Sequence, residues 1–204
     1  MTTFAKDIKQ ITAEEYLRID RQENREKNGK YEFFNRKLIY MAGGTLEHGA
    51  ILQNAGYALG HCIRIIRSEN SCYSDTKIKS NLDYKNYFYP DGVVSEGRPI
   101  YEDEKKDILT NPLLIVEVLS DSTEIFDRGD KFKSYRNIPS FKEYLLISQG
   151  KRCVEQFYKD ENGQWQFGEV LSKGMLQLKS MDAELNIDDL YFNVDVPEIV
   201  EEMD

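Results

Sequence analysis

Three segments of this chain carry residues of types that could do chemistry, in places that call for explanation. Asp91, in "YFYPDGVVSEG" (87–97), stands just before Val93 and Val94 as though on a strand. Pro90 removes a backbone donor and Asp is a poor strand former. Two readings compete: an ordinary Pro-Asp-Gly turn, or a carboxylate held where a strand meets a cleft. Glu117, in "PLLIVEVLS" (112–120), interrupts an apolar run. Such a run marks a strand covered on both faces. A carboxylate there is costly unless paired, protonated or metal-bound, or else it sits at the strand end and faces solvent. Asp127, Lys131 and Tyr135 recur at steps of four in "DRGDKFKSYRN" (127–137) and would share one helical face. They form either an exposed ion pair or a lysine aimed back at the carboxylates, where it would stabilise charge on a phosphate or orient a water. Carboxylates at the ends of neighbouring strands can share one hard cation, because Mg²⁺ takes oxygen ligands and commonly one or two carboxylates plus waters.

The elements that must position these residues are legible in outline. Residues 12–26 open on Thr and acidic residues and predict a short N-capped surface helix. "YEFFNRKLIYMAGG" (31–44) predicts two strands around an Asn35-Arg36 turn. From Thr45, a plausible N-cap, Ile51, Ala55, Ala58, Leu59, Cys62, Ile63 and Ile66 recur at three- and four-residue steps. That is an amphipathic helix of about five or six turns. Strands are expected at 71–80, 87–95 and 112–119, then a helix over "STEIFDRGDKFKSYRN" with Gly129 as its weak spot. "FKEYLLIS" is a further strand. "CVEQFYKDENGQWQF" is a hairpin with Asn162-Gly163 as a type I′ turn. A polar β-like tail follows. The order predicts an α/β fold around a mixed central sheet, in a single domain over 1–204 with its core at about 31–170.

Composition narrows the classes. Hydrophobic residues make up 40% and charged residues 31% of 204, an ordinary globular balance. No run approaches a membrane span and no signal-peptide core opens the chain. Three cysteines without a CxxC pair suit a reducing cytoplasm, and two histidines are too few for a common zinc cluster. Dinucleotide, P-loop, zincin and serine-hydrolase motifs are all missing, and Gly43-Gly44 resembles a phosphate loop only superficially. A net charge of −9 argues against electrostatic coating of nucleic acid, though not against a nuclease, since a bound metal reverses the local field. The aromatic residues around 31–40 and 84–89 fit strand core better than base stacking. If DNA binds, Lys77, Lys79, Lys85, Arg128, Lys133 and Arg136 should rim the site.

Taken in order, "YEFFNRKLIYMAGGTLEHGAILQN", "YFYPDGVVSEG", "PLLIVEVLSDST", "DRGDKFKSYRN" and "FKEYLLIS" resemble the Uma-two family. This is a group abundant in cyanobacteria and related to restriction endonucleases of the PD-(D/E)xK type. The resemblance spans roughly 12–170. It implies a restriction-endonuclease-like core, a mixed central β-sheet flanked by helices, with an added N-terminal helix and hairpin and a C-terminal β-hairpin. It implies a metal site, for Mg²⁺ or Mn²⁺, at Asp91 and Glu117, with Glu32 of "YEF" approaching it. His48 matches the family's histidine at the start of the long helix, where it would contact phosphate, act as an acid or make a local hydrogen bond. The wider motif has lysine where this chain has Leu119, and the resemblance suggests that Lys131 has taken that role. On this reading Lys131→Met abolishes cleavage and leaves the fold nearly intact. The implied activity is metal-dependent hydrolysis of phosphodiesters, most simply in DNA. The rivals are a binding or assembly module that kept the fold without turnover, and a small-phosphoester hydrolase. The resemblance also suggests a homodimer, with the aromatic hairpin around Trp165 supplying contact area.

Overall fold

Eight consecutive buried residues, Pro112–Leu119, form the strand from which the rest of the molecule is organised. Apolar side chains on both of its faces demand cover on both faces. The computed structural model describes residues 10–26, 30–41, 43–81 and 84–198. In chain order its elements are α1 (Ala13–Glu26), β1 (Lys30–Phe34), β2 (Lys37–Met41), α2 (Leu46–Ile65), β3 (Cys72–Ser74), β4 (Lys77–Asn81), β5 (Lys85–Phe88), β6 (Gly92–Ser95), β7 (Ile108–Leu109) and β8 (Pro112–Leu119). Then come α3 (Glu124–Phe126), a π-helical turn (Asp127–Lys131), α4 (Phe132–Tyr135), β9 (Glu143–Ser148), β10 (Val154–Lys159), β11 (Trp165–Leu171), β12 (Met175–Leu178), β13 (Ala183–Asn186) and α5 (Ile187–Leu190).

The expected mixed α/β architecture is present, with its strands divided among three sheets. The largest runs β11-β10-β9-β8-β6-β3, and in it only the β8–β9 pairing is parallel. Parallel neighbours need a crossover, and residues 120–142 supply it with α3, the π turn and α4. A second sheet runs β2-β1-β5-β4-β7, and β12 pairs with β13. Side chains alternate across β8. Leu114, Val116 and Val118 pack with Ile51, Ala55, Leu59 and Cys62 of α2. Ile115 and Leu119 pack with Phe132 and Tyr135 of the crossover and with Ile78 and Phe88 of the second sheet. Among the described residues no helix is long and apolar enough to cross a membrane.

Two expected strands are broken, and for the same reason. The stretches 71–80 and 87–95 each divide, into β3 and β4 and into β5 and β6. In each case the chain leaves one sheet for the other. At the first break Asp75 adopts a positive φ of 56°. At the second, Pro90 cannot donate to a ladder. The Pro90-Asp91 step is therefore the seam between two sheets, not the start of a strand.

Other local expectations are corrected in detail. Helix α1 is capped reciprocally by Thr12 and Glu15, but it is no mere surface helix, because Tyr16 and Asp20 are fully buried. The crossover is not one α-helix. It loosens into a π turn across Gly129, and Thr123 makes no side-chain cap bond. The β10–β11 loop is not a two-residue type I′ turn. Asp160 Oδ1 accepts from the amides of Asn162 and Gln164, and only Gly163 takes a positive φ. Thr45 does cap α2, accepting from His48 N at 3.1 Å.

Leu114 has no exposed surface and touches the α2 layer. Leu114→Ala is expected to lower unfolding free energy by about 2–5 kcal/mol, read as a fall in the urea midpoint at unchanged slope.

Candidate active site

Asp91 projects from the seam onto the end of β8. Its Oδ2 accepts from Val118 N at 2.8 Å, and its own amide lies 3.4 Å from Glu117 Oε2. The pairing of Gly92 with Val116 sets this up, since the residue before one meets the residue after the other in an antiparallel ladder. His48 Nε2, in the first turn of α2, lies 3.0 Å from Asp91 Oδ1. Gly44 makes room for the imidazole, because a Cβ there would stand 2.9 Å from the ring. The glycine pair that looked like a phosphate loop thus serves, at Gly44, to seat a histidine.

Glu32 comes from β1 in the other sheet, and its Oε1 accepts from Tyr89 N at 3.0 Å. Lys131 closes the group. Its Nζ lies 3.0 Å from Glu117 Oε1, 3.1 Å from Glu32 Oε1 and 3.2 Å from Asp127 Oδ1. Tyr135 donates to Glu117 Oε1 at 2.8 Å, and Tyr144 donates to the carbonyl of Asp127. The structure therefore brings Glu32, Asp91, Glu117, Lys131 and His48 into one group. Asp127 and Tyr135 join it through the helical face that also carries Lys131. Neither the bridge of Tyr89 to Glu32 nor the phenol of Tyr144 is visible in sequence, because each depends on which strands become neighbours.

Burial governs the electrostatics. It pushes the Glu117 carboxyl well above the usual range and the Glu32 carboxyl up as well, while Lys131 pulls both back. Burial alone would lower the Lys131 ammonium, but Glu117 and Glu32 hold it well above its ordinary value. The hydrogen bond to Asp91 raises His48. Lys131 is only 4% exposed. This revises the expectation that Lys131→Met leaves the fold nearly intact, since it would strand three buried carboxylates.

The donors suit a hard cation. Three carboxylates, Glu32, Glu117 and Asp127, surround one ammonium, Lys131, and a fourth, Asp91, stands beside Glu117. That leaves three formal negative charges in excess before His48 is counted. Among the described residues there is no ready-made cage of three or more His, Cys, Asp or Glu. What is present is the Asp91–Glu117 pair, which matches the one or two carboxylates Mg²⁺ commonly takes beside waters. Half of the expected basic rim is spent within the molecule. Lys77 pairs with Asp20 at 2.7 Å, Lys79 with Glu102 at 2.6 Å, and Arg128 with Glu124 and Glu155. Lys85, Lys133 and Arg136 remain exposed.

This mixed-sheet α/β fold is shared with a protein of known structure. A solved protein from Anabaena variabilis, titled a "putative nuclease belonging to DUF820", superposes with a TM-score of 0.69 at 18% identity, over 89% of this chain and 97% of that one. The Uma2 family model, described as "Putative restriction endonuclease", matches residues 13–188, and the chain belongs to that family. Two relatives from Synechocystis sp. are similar along most of their length. The uncharacterized protein sll1609 is 35% identical over 80% of this chain and 89% of its own, and the uncharacterized protein slr1290 is 30% identical over 89% and 91%.

Two outcomes are expected. Lys131→Met should cost about 3–5 kcal/mol near neutral pH, the usual penalty for orphaning a buried ion pair. The loss should shrink in acid, where Glu117 and Glu32 take up protons; urea midpoints across pH measure both. The second outcome concerns His48. Its folded value is raised, so its contribution is fully present below its unfolded value of about 6.5 and is lost as pH rises through the folded value. His48→Gln should remove that part of the decline in stability as pH rises above about 6.5.

Proposed function

We propose that this chain is a metal-dependent nuclease that hydrolyses phosphodiester bonds in DNA, acting as a single domain in the cytoplasm. The observation that carries the reading is the Asp91–Glu117 pair across one strand ladder, with Lys131 between Glu117 and Glu32. Asp91 and Glu117 would hold Mg²⁺ or Mn²⁺, and Glu32 would add a direct or water-mediated ligand. When bound, the metal supplies a water of lowered pKa and polarises the phosphate. Lys131 neutralises the inner carboxylates and presents positive charge toward the phosphate. Tyr135 fixes the orientation of Glu117 through its phenolic hydrogen bond. His48 is partly exposed beside Asp91 and carries a raised proton affinity, which suits an acid for the leaving oxygen.

A second reading, a binding or assembly module without turnover, is favoured by one observation. Lys77, Lys79 and Arg128, which would have rimmed a DNA site, are committed to internal carboxylates. A cleavage assay on supercoiled plasmid and single-stranded DNA separates the two. With Mg²⁺ or Mn²⁺ both substrates are tested, and a chelator should stop the reaction. Asp91→Ala should lower the rate at least about 100-fold. DNA retention with no cleavage under any metal would favour the module.

The homodimer belongs to the same proposal. β11 is the edge of the six-stranded sheet and presents exposed Phe167 and Val170. An apolar edge strand is a template for pairing with a second copy. Light scattering should give twice the 23.8 kDa chain mass; a monomer mass at all concentrations would refute it.

A further inference from the structure

Helix α1 stands outside the segments that carry the carboxylates, yet it reaches the site through one side chain. Asp20 is 1% exposed and accepts from the phenol of Tyr89 at 2.9 Å. Lys77, equally buried on β4, lies 2.7 Å from the same carboxylate oxygen and 3.6 Å from Asp107 Oδ2. Its ammonium also stands over the rings of Tyr89 and Tyr16, at 5.4 and 5.7 Å. Lys30 approaches the Tyr89 ring from another side, at 5.3 Å. Tyr89 is thus gripped at its hydroxyl by α1, while its backbone N–H grips Glu32.

We propose that Asp20 and Tyr89 are positioning residues of the candidate active site, so that α1 belongs to its machinery. This rests on the nuclease reading. The argument is one of linkage. Tyr89 is followed by Pro90, which has no N–H and a fixed φ. No ladder holds residues 89–91, because they cross between sheets. The direction of Asp91 is therefore set by its bonds to Val118 and His48, by its amide beside Glu117, and by where Tyr89 is anchored. The same anchor places the N–H that orients Glu32. One phenolic hydrogen bond consequently contributes to the placement of two carboxylates, Glu32 on the second sheet and Asp91 at the seam. A buried ion pair such as Asp20–Lys77 is a poor way to gain stability, since apolar side chains of similar volume often do as well or better. Its use here is direction: the ammonium holds the carboxylate, and the carboxylate accepts the phenol.

Tyr89→Phe tests this with the full chain, because it removes a single hydroxyl and touches neither metal nor substrate. Mn²⁺ affinity is measured by calorimetry and kcat and KM on plasmid, with Tyr191→Phe as the matched control. Tyr191 is also buried and also hydrogen-bonded, but near Ser148 and Cys153. Tyr89→Phe should weaken Mn²⁺ binding and lower kcat about tenfold with KM nearly unchanged, while Tyr191→Phe leaves both in place. Equal effects from the two variants, or none from Tyr89→Phe, would overturn the proposal. A wild type that neither binds Mn²⁺ nor cuts refutes the nuclease reading itself. Positioning is then read from the side-chain carboxyl ¹³C shifts of Glu32 and Asp91. Tyr89→Phe should move both, and shifts identical to wild type would refute the linkage.

Discussion

The ammonium of Lys131, buried against Glu117, Glu32 and Asp127, is the interaction on which the rest of the structure depends. Each of the three acids comes from a different element: β8 of the large sheet, β1 of the second sheet and the crossover's own π turn. Without the cation, three desolvated carboxylates would meet in a dry space, and each would have to take up a proton or leave. With it, two sheets and a crossover are drawn to one point. Such an arrangement is a poor route to stability, because apolar side chains of similar volume usually do as well. A chain that keeps it is holding charge in place for another purpose.

The second constraint is the seam. The chain passes between the two sheets at 75–76 and again at 89–91, and no ladder runs through either crossing. Backbone groups at the second crossing are satisfied by side chains instead: Glu32 takes the Tyr89 amide, and Glu117 is the nearest acceptor for the amide of Asp91. The same carboxylates that carry the excess charge are therefore also structural acceptors. Geometry and electrostatics of the site are not separable here.

How much of this was legible follows from what each residue's neighbours in sequence reveal. Asp91 and Glu117 stood out because each breaks a local apolar pattern, and Lys131 because of its helical spacing with Asp127 and Tyr135. Glu32 carries no such mark. "YEFF" is ordinary strand sequence, and only the family resemblance pointed to it; its place is decided by the pairing of β1 with β5. Asp20 and Lys77 were hidden more completely, inside segments that read as polar surface and as strand. The basic rim was misjudged for a related reason: Lys79 finds Glu102 and Arg128 finds Glu155 across long stretches of chain, pairings that no local pattern encodes. The two broken strands look continuous because periodicity cannot distinguish a strand that continues from one that changes sheets.

Leu119, where the family resemblance would lead one to look for a lysine, has a packing role of its own. It lies two residues beyond Glu117 and so shares its face of β8. There it joins the apolar cluster of Phe132 and Tyr135, residues of the helix that follows Lys131 in the crossover. A lysine at 119 would have put a second ammonium into that cluster. The leucine instead supplies the surface on which the helix carrying Lys131 is seated. Tyr135, seated on the same cluster, sends its hydroxyl to Glu117, and Gly129 lies inside the π turn that precedes it. π turns of this kind are common at functional sites. The apolar residue at 119 thus helps hold the helix whose preceding turn carries the charged one, Lys131.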